Sequence, residues 1–251
     1  MKIALITGAT AGIGQATAHA LAEKGFQLIL TGRRVDRLKQ VSQEIQEKYP
    51  VEVIPLCFDI RDKEQTKKVI QSLPEKWKMI DVLVNNAGLA AGFSHIQDGS
   101  MDDWDVMIDT NIKGLLYITA AVSPLMVARN KGHIVNIGSI AGKEVYENGN
   151  VYCATKHAVG ALTKGMRIDM LKHNIRVTSV CPGMVETEFS IVRFKGDEER
   201  AKNVYKGMQP LFPEDIANVV VYVVTLPDHV CINDILVMPT AQASLSQVNR
   251  K

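Results

Sequence analysis

Short apolar, β-branched runs alternate along the chain with longer stretches in which apolar residues return every three or four positions. The runs Lys2–Ile6, Gln27–Thr31, Val51–Phe58, Val82–Asn85, His133–Ile137, Arg176–Cys181 and Ile235–Met238 predict strands. The stretches Ile13–Glu23, Arg37–Lys48, Glu64–Leu73, Trp104–Met126, Val151–Leu171 and Glu214–Thr225 predict helices, the last opened by the start signal Pro213-Glu214-Asp215. The strand candidates are close to continuously apolar, which suits strands covered on both faces. The expectation is therefore one α/β domain spanning 1–251, a doubly wound parallel sheet of about seven strands. The polar tail, residues 240–251, is expected to be partly mobile.

Composition narrows the class. The chain has 251 residues, 46% of them hydrophobic and 22% charged, with a net charge of +2 and no dense Lys/Arg block, so no nucleic-acid partner is indicated. The first apolar stretch ends within a few residues at Thr7-Gly8, too soon for an export signal, and no run reaches the ~20 apolar residues that span a bilayer. The four cysteines lack CxxC spacing, which points away from disulfides and zinc and toward a reducing, cytoplasmic setting. The six histidines show no metal-ligand spacing, so no metal is expected.

The chemistry starts at the first strand, which runs into Thr7-Gly8-Ala9-Thr10-Ala11-Gly12-Ile13-Gly14 and then a helix. A backbone that turns sharply and approaches a pyrophosphate has no room for side chains, and the helix that follows aims unpaired N–H groups and the positive end of its dipole at the phosphates. Glycines alone would mark any tight turn; a strand before and a helix after make this a Rossmann-type nucleotide cradle. Nineteen residues after Gly14 the second strand ends in Thr31-Gly32-Arg33-Arg34. An NAD-selective site places an acid near here for the ribose 2′-hydroxyl. Two guanidinium groups stand there instead, one able to clamp a 2′-phosphate and the other to stack on adenine, so the expected cofactor is NADP(H).

Tyr152 and Lys156 stand four apart on a predicted helix, so both project from one face. A phenol is a poor acid–base group at neutral pH, and a nearby ammonium would favour its phenolate. It could then give a proton to a carbonyl or take one from an alcohol. With Thr7-Gly8, Gly12-Ile13-Gly14, Asp59-Ile60, Asn85-Asn86-Ala87-Gly88, Asn111, Ser139 and Pro182-Gly183…Thr187, in that order and spacing, the chain resembles the short-chain dehydrogenase/reductase family over essentially its whole length. The resemblance implies roles. Ser139 would hydrogen-bond the substrate oxygen, Tyr152 would be the proton donor or acceptor, and Lys156 would hold the nicotinamide ribose. Asn111 would support a water chain. Asp59 and Ile60 would contact adenine, and Asn86, Ala87 and Gly88 would line the adenosine ribose. Gly8, Thr10, Gly12, Ile13 and Gly14 would cradle the phosphates. Pro182 and Gly183 would bind the cofactor, Val185 backbone atoms would fix its carboxamide, and Thr187 would bind phosphate. A homotetramer is implied as well.

Four stretches, NNAGLAAG (85–92), DVMIDTN (105–111), TEFSIVRFKGD (187–197) and TLPDHVCINDILVMP (225–239), are similar to a narrower group, the NADP-dependent 3-hydroxy acid dehydrogenases of the serine and allo-threonine type. That implies hydride transfer between the cofactor and the 3-hydroxyl or 3-keto form of a small acid. Residues 186–212 would then cover the substrate. Within them Arg193 could grip a carboxylate bidentately, or belong with Asp197, Glu198, Glu199 and Arg200 to a solvated charged face. Two alternatives stay open. One is a 3-oxoacyl carrier-protein reductase or general carbonyl reductase, against which Asn233-Asp234-Ile235-Leu236 counts, where those enzymes often carry Asp-Gly-Gly. The other is a silent NADP-binding sensor or scaffold, against which the presence of both Tyr152 and Lys156 counts.

Each lost hydrogen bond to a charged phosphate costs about 1.5–3 kcal/mol. Replacing Arg33 and Arg34 together by alanine is expected to raise KM for NADPH by roughly one to two orders of magnitude and to leave NADH little changed. Steady-state kinetics with both cofactors reads this; equal losses would refute the assignment.

Overall fold

The computed structural model describes residues 2–251. Seven parallel strands, β1 Ile3–Ile6, β2 Gln27–Gly32, β3 Val53–Cys57, β4 Ile80–Asn85, β5 Gly132–Ile137, β6 Ile175–Pro182 and β7 Asp234–Val237, form one sheet in the order β3-β2-β1-β4-β5-β6-β7. Each expected strand is found within two residues at either end. The inner strands β1, β4 and β5 are buried almost throughout, while the edge strands β3 and β7 alternate with solvent. Pro55, which cannot donate to a ladder, sits on edge strand β3.

Side chains of successive strand residues leave opposite faces of the sheet and build two cores. Ala4, Ile6, Leu28, Leu30, Val84 and Val135 pack toward α1 (Gly12–Glu23), α2 (Val35–Lys48) and α9 (Pro213–Thr225). Ile3, Leu5, Ile29, Leu83, Ile134 and Val177 pack toward α3 (Lys63–Gln71), α5 (Leu115–Val127) and α6 (Asn150–Asp169). None of the helices of the described residues is long and apolar enough to cross a membrane.

Three departures from the sequence pattern matter for the site. The single helix expected over Trp104–Met126 is α4 (Met101–Ile108) and α5 joined by a π-helical turn at Asp109–Gly114. That wider turn points Asn111 inward, where it is buried. Residues 186–212 carry two short helices, α7 (Phe189–Arg193) and α8 (Glu198–Asn203), which the pattern did not predict. The tail expected to be partly mobile is instead folded back and hydrogen-bonded. Gln242 bridges Val248, Gln242 is 3% exposed, and Arg250 donates to the Lys206 and Val204 carbonyls at 2.6 and 3.0 Å.

The strand order reverses between β1 and β4, so the loops leaving these neighbours diverge and open a crevice at the sheet's carboxyl edge, where open α/β sheets bind ligands. Asn136 at the end of β5 helps fix that edge: it accepts from Asn85 Nδ2 at 2.8 Å and donates to Thr163 Oγ1 at 2.9 Å, all buried. Stranding such groups costs about 1–3 kcal/mol each.

Candidate active site

The crevice is a cleft of about 560 Å³. Its floor at one end is the glycine turn. Gly8 lies at φ +66°, a conformation that L side chains rarely adopt, and its α-carbon is close enough to Ala87 that a Cβ would come within 3.0 Å of Ala87 Cα. A Cβ on Gly14 would lie 2.4 Å from the Gly8 carbonyl oxygen, so no larger residue fits there. Asn86 closes the turn from the other strand, donating to the Thr7 and Gly8 carbonyls at 2.9 and 3.2 Å. Helix α1 follows Ala11, which offers no side-chain cap, and has no acid in its first turn, so its leading N–H groups and dipole end face the cleft uncompensated. This cradle fits the pyrophosphate of a dinucleotide.

Of the residues expected around the cofactor, Gly8, Thr10, Gly12, Ile13, Asn86, Ala87, Gly88, Pro182, Gly183, Val185 and Thr187 all line the cleft. Arg34 lines it as well, held by Thr10 Oγ1 at 3.0 Å and by Glu188 Oε2 at 2.9 Å. Gly14 supports the turn from behind. Arg33, Asp59 and Ile60 are not brought to the cleft wall. Asp59 is gripped by Arg61, Nη2 to Oδ2 at 2.6 Å, which holds its carboxyl below the usual range; Arg33 lies 3.9 Å from the same oxygen, and Ile60 packs under Gly114. Arg61 escaped the sequence analysis because nothing in the spacing marks it.

Further along the cleft stand Ser139, Tyr152 and Lys156. Ser139 follows β5 and accepts from Ala141 N at 3.0 Å, which fixes its rotamer. Tyr152 is in the first turn of α6 and Lys156 one turn on; both are buried. Lys156 Nζ donates to the Ile137 carbonyl at 2.9 Å. Asn111 stands behind them and not on the cleft wall. Its Nδ2 donates to Leu89 O and Thr155 Oγ1 at 2.8 and 3.0 Å, and its Oδ1 accepts from Leu89 N at 2.8 Å. Both ends of the amide are thus engaged in clamping the strand β4 loop to α6.

The electrostatics differ from the sequence expectation. Burial pushes the Tyr152 phenol up, keeping it protonated at neutral pH; the Ser139 hydroxyl and the Arg193 guanidinium oppose that, and Lys156 is not among the groups that move it. Lys156 itself is lowered to about 8 by burial. The bond to Ile137 O uses one of the three donors of the ammonium and holds it in the site, while the groups that move the phenol here are its burial, Ser139 and Arg193.

Arg193, whose role the sequence left open, lies beside Tyr152 and not on a solvated face. Its guanidinium carbon sits 4.7 Å from the Phe93 ring centroid, 5.3 Å from Tyr146 and 5.8 Å from Tyr152. It donates to Gly92 O at 3.4 Å, and its Nη2 is buried with no partner among the described residues. Phe93, Tyr146, Phe189 and Leu245, none foreseen as site residues, complete the apolar side of the cleft.

Residues 2–198 match the model of the short chain dehydrogenases. The chain belongs to the short-chain dehydrogenase family. Over its full length this dehydrogenase is 46% identical to a protein of Schizosaccharomyces pombe named NADP-dependent 3-hydroxy acid dehydrogenase, covering 97% of that protein. It is 45% identical to the Escherichia coli K12 protein of the same name, with 96% of each chain covered. Among solved structures it is similar to a serine dehydrogenase in closed form complexed with NADP⁺, at TM-score 0.92 and 45% identity over 99% of this chain and 100% of that one. It is also similar to serine dehydrogenase from Escherichia coli, at TM-score 0.82 and 41% identity over 96% and 99% of the two chains.

The lowered Lys156 links pH to stability. Below pH 8 folded and unfolded chains both carry this proton; between about 8 and 10.5 the unfolded chain holds it and the folded chain has lost it, so stability rises with pH. The rise is at most about 1.4 kcal/mol per pH unit. Above pH 10 Tyr152 acts in the opposite sense. The Cys153 and Cys181 thiols, pushed up by burial, also act in the opposite sense, so the readout is a difference. In urea unfolding of the ligand-free enzyme from pH 7 to 10 the parent should gain stability relative to Lys156→Met, and parallel profiles would contradict the buried ammonium.

Proposed function

We propose that this dehydrogenase is an NADP(H)-dependent enzyme that interconverts the 3-hydroxyl and 3-keto forms of small acids such as serine, allo-threonine or 3-hydroxypropionate. The names carried by its relatives in Schizosaccharomyces pombe and Escherichia coli support that reading. The observation on this chain that carries it is Arg193, a half-buried cation beside the Tyr152 phenol whose Nη2 is buried without a partner among the described residues. A buried N–H of a guanidinium is costly without an acceptor, and a carboxylate accepts two such N–H groups at once. A neutral ketone gives it nothing to bind. For that reason the general carbonyl reductase reading is less well supported.

The chain's own residues divide the work. The glycine turn and the start of α1 would bind the pyrophosphate, Arg34 with Arg33 the 2′-phosphate, and Lys156 with the Asn86–Gly88 turn the riboses. Thr10 and Thr187 would supply hydroxyls along the phosphates, while Pro182, Gly183 and Val185 would shape the nicotinamide end. Bound there, the nicotinamide supplies or takes up the hydride. Ser139 donates a hydrogen bond to the substrate oxygen and holds it against Tyr152. Tyr152, protonated at neutral pH, delivers its proton to the carbonyl oxygen during reduction. In oxidation the same oxygen takes the alcohol proton, with the Ser139 hydroxyl and the Arg193 charge favouring the phenolate. Asn111 acts by holding Leu89 and α6 in register, and the water chain implied by the family would run past it. The enzyme would work in the cytoplasm, as a homotetramer.

Assaying NADP⁺ reduction with L-serine, L-allo-threonine, 3-hydroxypropionate and simple secondary alcohols tests the reading; turnover of the alcohols alone would overturn it. Tyr152→Phe should lower kcat by about 10²- to 10⁴-fold, and an unchanged kcat would remove the phenol from the chemistry. Arg193→Ala should weaken kcat/KM for the acids by roughly 10- to 150-fold while sparing uncharged ketones. Parallel losses in the two classes would mean the guanidinium holds the fold and not the substrate.

A further inference from the structure

We infer that residues 239–251 are a wall of the substrate site, and that Leu245 limits the length of the alkyl chain the enzyme accepts. The inference rests on the 3-hydroxy acid reading and adds to it a specificity determinant outside the catalytic residues and outside 186–212.

The tail crosses the cleft and is fastened on both sides of it. On the catalytic side Leu245 N donates to Glu144 Oε2 at 2.9 Å, just beyond the turn that carries Ser139. On the covering side the buried Gln242 accepts from Met184 N at 2.9 Å, and a Cβ on Gly183 would come 2.5 Å from that Gln242 oxygen. Gly183 is therefore small for the tail's sake as well as for any ligand's. Beyond it, Arg250 donates to the Lys206 and Val204 carbonyls, and Lys251 N donates to Gly207 O at 2.8 Å. These contacts hold the end of α8 against the tail.

Between the two anchors the chain folds into a tight excursion, closed by Ala243 N to Gln247 O at 3.0 Å and Asn249 N to Ala241 O at 2.8 Å. Leu245 is carried on it into the cleft wall and packs, as Tyr146 and Phe189 do, against the buried cluster that contains Ala141 and Tyr152. In that cluster the rings of Tyr152 and Phe189 lie 5.5 Å apart, so the apolar surface starts beside the reacting phenol. For a substrate with its oxygen at Tyr152 and its carboxylate at Arg193, this surface is the apolar wall that adjoins both groups. Leucine is the member of that surface that belongs to an exposed segment and can change size without disturbing the sheet.

In a hydrophobic pocket one methylene is worth about 10- to 200-fold in kcat/KM. The readout is the ratio of kcat/KM for 3-hydroxyhexanoate to that for 3-hydroxypropionate, measured in parallel with the ratio for 2-heptanone to 2-butanone. Leu245→Ala should raise both ratios about tenfold and Leu245→Phe should lower both about tenfold. Titration calorimetry of hexanoate against propanoate on the NADP⁺-loaded enzyme should show the same opposite shifts, independent of turnover. Misfolding cannot move a ratio in opposite directions with two variants. Ratios within twofold of the parent in both variants would overturn the inference. If no 3-hydroxy acid is turned over while the ketone and calorimetric ratios move as stated, the wall stands and the activity reading falls.

Discussion

Neighbouring strands β1 and β4 must part at their carboxyl ends, and the pin that holds them together while they do so is Thr7. Its hydroxyl accepts from Asn86 N and Ala87 N at 3.0 and 2.9 Å and reaches the Val84 carbonyl at 3.3 Å. The side chain of Asn86 answers from the other loop, onto the carbonyls of Thr7 and Gly8. The Ala87 N–H and the Thr7 and Gly8 carbonyls are satisfied this way where the sheet splits, at a site where each orphan would cost about 1–3 kcal/mol. The crevice is as rigid as this clasp, and everything placed along it, from the glycine turn to α6, takes its position from there.

The sheet was legible because burial on both faces writes a continuous apolar run, which survives in the sequence as β-branched blocks such as Val82–Asn85. The break between α4 and α5 was not legible. Apolar residues continue across Asp109–Gly114 at helical spacing, and one extra residue in a turn changes the register without changing composition. Its effect is seen only in three dimensions, where Asn111 is a buried clamp on Leu89 and Thr155. The tail hid itself for the opposite reason: it is polar, and its hold comes from the Met184 N–H met by Gln242 and from backbone carbonyls met by Arg250 and Lys251, partners that no local pattern announces.

Around the chemistry, spacing told which residues meet and not what field they meet in. Tyr152 and Lys156 do share a face of α6, yet both are buried, and desolvation disfavours the charged form of each. Two groups pressed toward neutrality from opposite sides hold their protons loosely or tightly according to their other partners. For Tyr152 those partners are Ser139 and Arg193; for Lys156 the near contact is the Ile137 carbonyl. Arg193 could not be resolved from sequence, since the acids that follow it suggest a solvated face while α7 turns it inward among aromatic rings.

These placements leave the cleft with a consistent sign. Arg34, Lys156, Arg193 and Arg250 line it, Glu188 is committed to Arg34, and Glu144, just outside, is engaged by the backbone of Leu245. The start of α1 adds a partial positive charge at one end. Such a cleft concentrates anions and strengthens each contact as water is excluded. It is matched by a ligand pair carrying phosphates at the glycine turn and a carboxylate near Tyr152. The aromatic rings around Arg193 serve the same end: they keep its charge in place through their faces without supplying a counter-ion, so its N–H groups stay available for one that arrives with the substrate. A carboxylate side chain in that position would have neutralised the arginine permanently and removed the difference between an acid and a ketone.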